Sequence, residues 1–235
     1  MKLLRSDNGE TRGPGRPRDE EVRKRLLKAA SDLLEEVGFG SVTVDLIAER
    51  AGASKATVYR WWPNKASVLI EAFRDAVSPD FPFSDTGSLF RDIRNQLCRF
   101  SRFLQTGRGK LLIAFVVGAQ GDREVAAALR EYWIAPLRKR GTAVLDGYRK
   151  RGELPDGIDL DLVQDMMYAP LYYNLLTGYS PITEEYAEMV TETLLKGLQQ
   201  RQKPNEKVAQ RIMKKKRALD LAPATKKEAD GVFEE

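Results

Sequence analysis

The chain has 235 residues, 42% hydrophobic and 31% charged, with a net charge of +5, and that length holds a sizeable core in one or two domains. It contains no histidine and one cysteine, Cys98, which excludes an intramolecular disulfide, a multi-Cys metal site and every histidine-based catalytic pairing. The longest apolar run, at 111–119, falls far short of the roughly 20 residues a spanning helix needs. The opening MKLLRSDNGETRG carries no apolar h-region of a signal peptide, so a cytoplasmic location is expected. No metal, cofactor, membrane contact or enzymatic activity is expected either.

Residues 1–18 are rich in Gly, Pro, Arg and polar residues without periodicity, and read as a flexible basic arm. Within it, GPGRPR at 13–18 places Arg16 and Arg18 around Pro17, which biases Arg16 toward extended geometry. Such an arm suits a narrow minor groove or a phosphate, and reads equally as a solvated tail. An amphipathic helix follows at 19–37, with Val22, Leu26, Ala29, Ala30, Leu33, Leu34 and Val37 at three- and four-residue steps. Acidic residues sit at its start, where the dipole favours them, and Gly38 ends it.

Thr43 is an N-cap for the next short helix, whose buried face is Leu46, Ile47, Ala48 and Ala51. Gly52 makes the turn, and Ser54 caps the helix KATVYRWW. The AGAS turn has the length and glycine of a helix-turn-helix, whose second helix enters the major groove. Lys55 and Thr57, near the N-terminus of that helix, are the candidates for base contact. Lysine binds guanine O6 and N7, and threonine bonds a base edge or touches a thymine methyl. Tyr59 and Lys65 suit phosphates, which set register without reading sequence. Asp45 reads either as a helix N-terminal carboxylate or as an acceptor for a cytosine amino group. Trp62 reads as core and Trp61 either way. A fourth helix is expected at 66–77 and a Pro/Ser/Gly loop at 78–88.

In this region the chain resembles the tetracycline-repressor (TetR) family of bacterial transcription regulators. The residues that carry the resemblance are Thr43, Ile47, Ala48, Ala51, Gly52, Ser54, Lys55, Thr57, Tyr59 and Lys65, within TVDLIAERAGASKATVYRWWPNK. It covers roughly 15–77. It implies that Thr43, Tyr59 and Lys65 hold the DNA backbone and that Lys55, Ala56, Thr57 and Trp61 face bases. Ser54 belongs to the same contact set. Trp62 stands where the family usually packs a phenylalanine. The resemblance further implies an all-α homodimer with a C-terminal domain that binds a small effector. Lack of histidine argues against a metal-chelated drug of the tetracycline type, because the founding member uses a histidine ligand.

The remaining sequence agrees with an all-α fold. Leu89, Phe90, Ile93, Leu97, Phe100 and Leu104 stripe one helix, and 111–119, apolar all round, predicts a centrally buried one. A long helix at 122–151 should kink or divide at Pro136 and Gly141. Two more are expected at 161–177 and 183–200. Candidate dimer residues on these are Leu162, Met166, Tyr173, Tyr186, Met189 and Leu194; Met and Tyr are enriched in interface cores. Candidate pocket residues are Phe100, Phe103, Leu104, Phe115, Trp133, Met167 and Leu171, a lining suited to a hydrophobic or aromatic ligand. The domains expected are the arm at 1–18, a helix-turn-helix head at 19–77, an effector and dimerisation domain at 88–202, and a charged tail at 203–235. Residues 201–217 hold eight Lys/Arg and one acid, which reads as partly disordered solvated chain or as added phosphate attraction. The function expected is a sequence-specific regulator that binds double-stranded operator DNA, a repressor released by a small effector. A regulator controlled by a protein partner, or without ligand, is the alternative.

Overall fold

The computed structural model describes residues 16–199, apart from the side chains of 16–18, Asp80 and Gln199. The Arg16 and Arg18 side chains, the arm before them and the charged tail therefore lie outside the described residues. No strand occurs among the described residues. The helices are α1 (Arg16–Ser41), α2 (Val44–Ala51), α3 (Lys55–Trp61), α4 (Lys65–Val77), α5 (Leu89–Leu104), α6 (Gly107–Gly121), α7 (Arg123–Ala128), α8 (Ala135–Lys150), α9 (Leu160–Thr177) and α10 (Glu184–Gln199).

The caps are local and follow from the side chains at each entry. Thr43, Asn64, Ser88, Thr106, Asp122 and Asp159 all accept a backbone N–H from the first turn of the helix they precede, satisfying donors the helix cannot. Two boundaries differ from the sequence reading. Helix α1 begins at Arg16, so this residue is helical rather than extended; a proline in a first turn lacks only an N–H that would be unpaired anyway. At the other end, Gly38 breaks the α1 geometry with φ 76° and ψ 166°, and the chain turns helical again through Ser41.

Helix α6 also corrects an expectation. It is not centrally buried: only Gly109, Leu112 and Phe115 are enclosed, and Val117 is 55% exposed. The helix packs one face on α1, α5, α7 and the π turn, and its other face is largely exposed among the described residues.

Between α7 and α8 the helix widens into a π turn at Leu129–Ile134, where the Ala135 N–H reaches back to the Arg130 carbonyl. Pro136 explains the position. It has no N–H to return to the carbonyl four residues earlier, that of Tyr132. Arg74 of α4 donates to that carbonyl instead, Nη1 to O at 3.2 Å.

The core does not break at the 78–88 loop. One cluster runs from Leu26, Leu34, Ile47 and Leu69 through Phe73 to Phe103, Phe115, Trp133 and Leu171. Phe73 is its pivot, with ring centroids 5.3 Å from Phe115, 5.2 Å from Trp133 and 6.3 Å from Phe103. A second cluster fills the far end, around Ile93, Leu97, Leu145, Tyr148 and Met167. There Asp92, buried, accepts from the Thr86 N–H and hydroxyl, each at 2.7 Å, and from the Tyr148 hydroxyl.

Helix α4 is fixed to the head by one buried carboxylate. Glu71 accepts from Arg23 Nη2 at 2.7 Å, from Arg74 Nη2 at 3.1 Å and from the indole N–H of Trp62. Arg23 also lies over both indoles, 5.7 Å from the Trp61 centroid and 5.5 Å from that of Trp62. Thus Glu71 ties α1, the end of α3 and α4 together, and Arg74 carries the tie on to the π turn.

Candidate nucleic-acid interface and cavity

Helices α2 and α3 meet at Gly52, which takes the left-handed conformation (φ 62°, ψ 43°) that glycine adopts without strain. Its N–H returns to the carbonyls of Ala48 and Glu49. Ala48 and Ala51 are buried at the crossing, while Val58 and Trp62, the latter 1% exposed, anchor α3 from beneath. These anchors leave one face of α3 in solvent: Lys55, Ala56, Tyr59 and Arg60 are exposed and Thr57 half-buried.

On that face Lys55 Nζ donates to Asp45 Oδ2 at 3.0 Å, so the lysine read as a base contact is paired with the first-turn carboxylate of α2. This contact raises the Lys55 pKa, chiefly through the hydrogen bond to Asp45, and keeps the ammonium charged. The Ser54 hydroxyl accepts from the Thr57 N–H at 3.1 Å and lies 2.8 Å from Thr57 Oγ1. Thr43 Oγ1 accepts from the Leu46 N–H at 3.2 Å. Tyr59 is exposed. Lys65 turns back over the Phe39 ring, 5.1 Å from its centroid, and donates to the Phe39 carbonyl at 3.4 Å. Trp61 is half-buried between Arg23 and Arg60, and its indole nitrogen is enclosed without a hydrogen-bond partner. Arg60 in turn donates to Asp19 at 2.8 Å. The surface therefore presents two cations and a phenol beside polar helix caps, which suits phosphate and base-edge contacts.

A cavity of about 500 Å³ lies among α5, α6, the π turn, α8 and α9, within the roughly 300–1,000 Å³ of small-molecule sites. Phe81, Phe100, Leu129, Trp133, Leu137 and Leu176 form much of its apolar wall. Of the pocket residues named from sequence, Phe100 and Trp133 line it. Phe103, Leu104, Phe115, Met167 and Leu171 are buried in the packed core and do not.

The polar lining was missed: Gln96 on α5, and Gln164, Tyr168 and Tyr172 on α9. Two signals were available. Gln96 is a polar residue on the apolar stripe between Ile93 and Phe100, and 164, 168 and 172 recur at steps of four along one helix face. Burial pushes both the Tyr168 and Tyr172 hydroxyls up to about 12. At the rim, Arg138 is held by Asp165 and by the Asp161 carbonyl, the latter at 3.0 Å. Gln164 reaches Thr142 Oγ1 at 2.9 Å across Gly141, where a Cβ would sit 2.2 Å from the Gln164 side-chain oxygen. Gly141 therefore sets how closely α8 approaches α9.

Among the described residues no group of acidic and cysteine side chains could hold a metal ion, and no helix is long and apolar enough to cross a membrane. A groove between α9 and α10 is lined by Leu162, Met166, Pro170, Tyr186, Met189 and Leu194 among others. Tyr173 lies outside it at 59% exposure.

Comparisons with known proteins agree with this geometry. Residues 26–72 match the family model described as bacterial regulatory proteins, tetR family. Residues 83–194 match the model described as tetracyclin repressor-like, C-terminal domain. The chain is 37% identical over 185 residues to the uncharacterized HTH-type transcriptional regulator YdeS of Bacillus subtilis, covering 79% of this chain and 93% of that protein. It is 29% identical over 172 residues to a DNA-binding transcriptional repressor TetR of Mycobacteroides abscessus, covering 72% and 90%. The crystal structure of the TetR family transcription regulator SCO0332 superposes with a TM-score of 0.70 at 29% identity, covering 75% of this chain and 98% of that one.

Proposed function

The chain belongs to the tetR family of bacterial regulatory proteins, and on that premise we propose that it is a homodimeric repressor released from its operator by a small effector of hydrophobic or aromatic character. That it is a helix-turn-helix transcriptional regulator follows from the family itself. The dimer, the effector and the contact residues are the further reading, as is a cytoplasmic place of action beside the chromosome.

The observation that carries this reading is the shared wall between cavity and head. Trp133 lines the cavity and packs on Phe73 of α4, and α4 is tied through Glu71 to the end of α3. An effector that favours a different position of this wall would move α4, and with it the spacing of two heads. Coupling of that kind needs only different affinities for the two arrangements. The dimer is supported by the groove between α9 and α10. Met166 and Met189 line it and are exposed, Tyr173 is exposed beside it on α9, and exposed apolar patches mark interaction surfaces. A short helix-turn-helix also gains its specificity from two half-sites.

Gel shifts against the DNA beside its own gene test the reading. Thr57→Ala should lose discrimination between operator and scrambled DNA, and Lys65→Ala should weaken binding to every sequence. Met189→Glu should yield a monomer in sedimentation and lose operator binding. DNA binding that ignores both head substitutions rejects the contact assignment. A thermal-shift screen of apolar small molecules that stays silent favours control by a protein partner or no ligand.

A further inference from the structure

We infer that the cavity takes a neutral aromatic ligand bearing a hydroxyl group, seated so that the hydroxyl meets Gln96 and Tyr168. This deepens, and rests on, the reading of the cavity as an effector site.

The starting point is an unsatisfied atom. Gln96 is 6% exposed and lines the cavity. Its amide nitrogen donates to the Tyr168 hydroxyl at 3.0 Å, while its side-chain oxygen is buried without any hydrogen-bond partner. Buried polar groups in native proteins are almost always paired, so an orphan acceptor on a residue that lines a cavity calls for a donor from whatever fills it. The Tyr168 hydroxyl, having accepted from Gln96, keeps its own proton to give. Two adjacent residues of the cavity lining thus hold an unused acceptor and an unused donor. A hydroxyl group, which both donates and accepts, complements the two at once.

The rest of the wall sets the remainder of the ligand. Apart from Gln120, Gln164 and the charged pair at the rim it is apolar and rich in rings: Phe81, Phe100, Trp133 and the body of Tyr172. Flat aromatic ligands pack on such rings at favourable offset or edge geometries. Charge is unwelcome. The charged lining groups are Arg138 and Asp165, which pair with each other at the rim. Arg138 is further engaged by Asp161, with Nη2 3.3 Å from its carboxylate. An anionic ligand would have to break that arrangement and lose its own hydration in an apolar chamber. The two cavity tyrosines remain neutral well above physiological pH, because burial opposes their ionisation.

Four probes of one ring skeleton separate the possibilities in isothermal titration calorimetry of the full chain at neutral pH: naphthalene, 2-methoxynaphthalene, 2-naphthol and 2-naphthoate. We expect 2-naphthol to bind about tenfold tighter than 2-methoxynaphthalene, equivalent to about 1.4 kcal/mol, with 2-naphthoate the weakest. Gln96→Leu should shrink the preference to within about twofold while naphthalene still binds, which shows that the cavity is intact. Tyr168→Phe, which preserves the ring, should weaken 2-naphthol severalfold and leave naphthalene unchanged. If naphthalene or 2-methoxynaphthalene binds as tightly as 2-naphthol, or 2-naphthoate binds most tightly, the hydroxyl assignment is wrong although the cavity binds ligands. If Gln96→Leu leaves the preference intact, Gln96 is not its source and the assignment also falls. If none of the four binds, the effector reading fails and takes this inference with it.

Discussion

Two ion-pair sites lie on opposite sides of α3, and they contrast in what surrounds them. On the outer face, Lys55 and Asp45 pair at 3.0 Å with side chains 52% and 69% exposed. On the inner side, Glu71 takes Arg23, Arg74 and the Trp62 indole with its own side chain 8% exposed. The chemistry is the same, a carboxylate against a cation. An exposed pair contributes about 0–1 kcal/mol and exchanges readily for another partner. A buried carboxylate stripped of its partners, or a buried cation stripped of its carboxylate, costs about 3–5 kcal/mol. The outer pair is therefore free to be given up to DNA, and the inner cluster is not. A helix that reads must be rigid beneath and exchangeable above, and the burial of these groups separates the two duties.

The sharpest way to break the comparison is Glu71→Leu. It leaves Arg23 with only the 3.9 Å carboxylate contact to Glu20, leaves Arg74 to Asp75 and the Tyr132 carbonyl, and leaves the Trp62 N–H without its acceptor. Urea denaturation should show a loss of about 3–5 kcal/mol. A loss under about 1 kcal/mol would mean that the cluster is no more than a surface pair. Trp62→Phe removes the N–H donor and shortens a fully buried indole to a phenyl ring, so a cavity cost adds to the lost hydrogen bond. The hydrogen bond to a charged group alone should account for about 1.5–3 kcal/mol. Operator discrimination should survive in the folded fraction, because Trp62 faces the core.

The outer pair should behave in the opposite sense. Lys55→Ala should leave stability within about 0.5 kcal/mol of the parent. Its effect belongs on DNA: a loss of about 1–3 kcal/mol at the preferred sequence, with little change at scrambled DNA. Gel shifts at fixed salt against the two sequences measure the difference. An equal loss on both would make Lys55 a phosphate contact instead.

This contrast also marks what the sequence could reveal. Helices α2 and α3 were legible nearly to the residue, since their determinants are local: a threonine cap, a glycine turn, a serine cap and small residues at the crossing. The irregularity at Pro136, a π turn just before it, was equally local, whereas α8 runs unbroken through Gly141, where a break was also expected. Glu71, by contrast, carries no local mark, and its burial depends on Arg23, 48 positions earlier. The cavity is harder still. Phe100 and Phe103 are equally apolar, and only the crossing of α5 with α9 and with the Phe81 loop decides which one faces the open space. Phe103 packs edge-on against Phe81 at 4.6 Å and is used up in the core. The apolar run of α6 misled because hydrophobicity reports what a helix would bury and not what one chain offers to bury it with.

Asp45 holds the smallest expected effect, and three roles compete for it: it begins α2, it pairs with Lys55, and it faces the surface read as DNA-contacting. Asp45→Ala separates them. As a first-turn carboxylate it contributes about 0.3–1 kcal/mol to stability, seen as a small fall in the urea midpoint. As a mask on Lys55 it restrains a cation, so its removal should raise affinity for every DNA sequence severalfold and steepen the salt dependence by up to about one counterion. As an acceptor for a cytosine amino group it would instead lose discrimination at one base position. The 3.0 Å contact favours the mask, because a carboxylate already facing an ammonium has less to give a base. We therefore expect higher nonspecific affinity with unchanged base preference. A loss confined to one position of a mutated operator series would reverse that assignment and make Asp45 and Lys55 a reading pair.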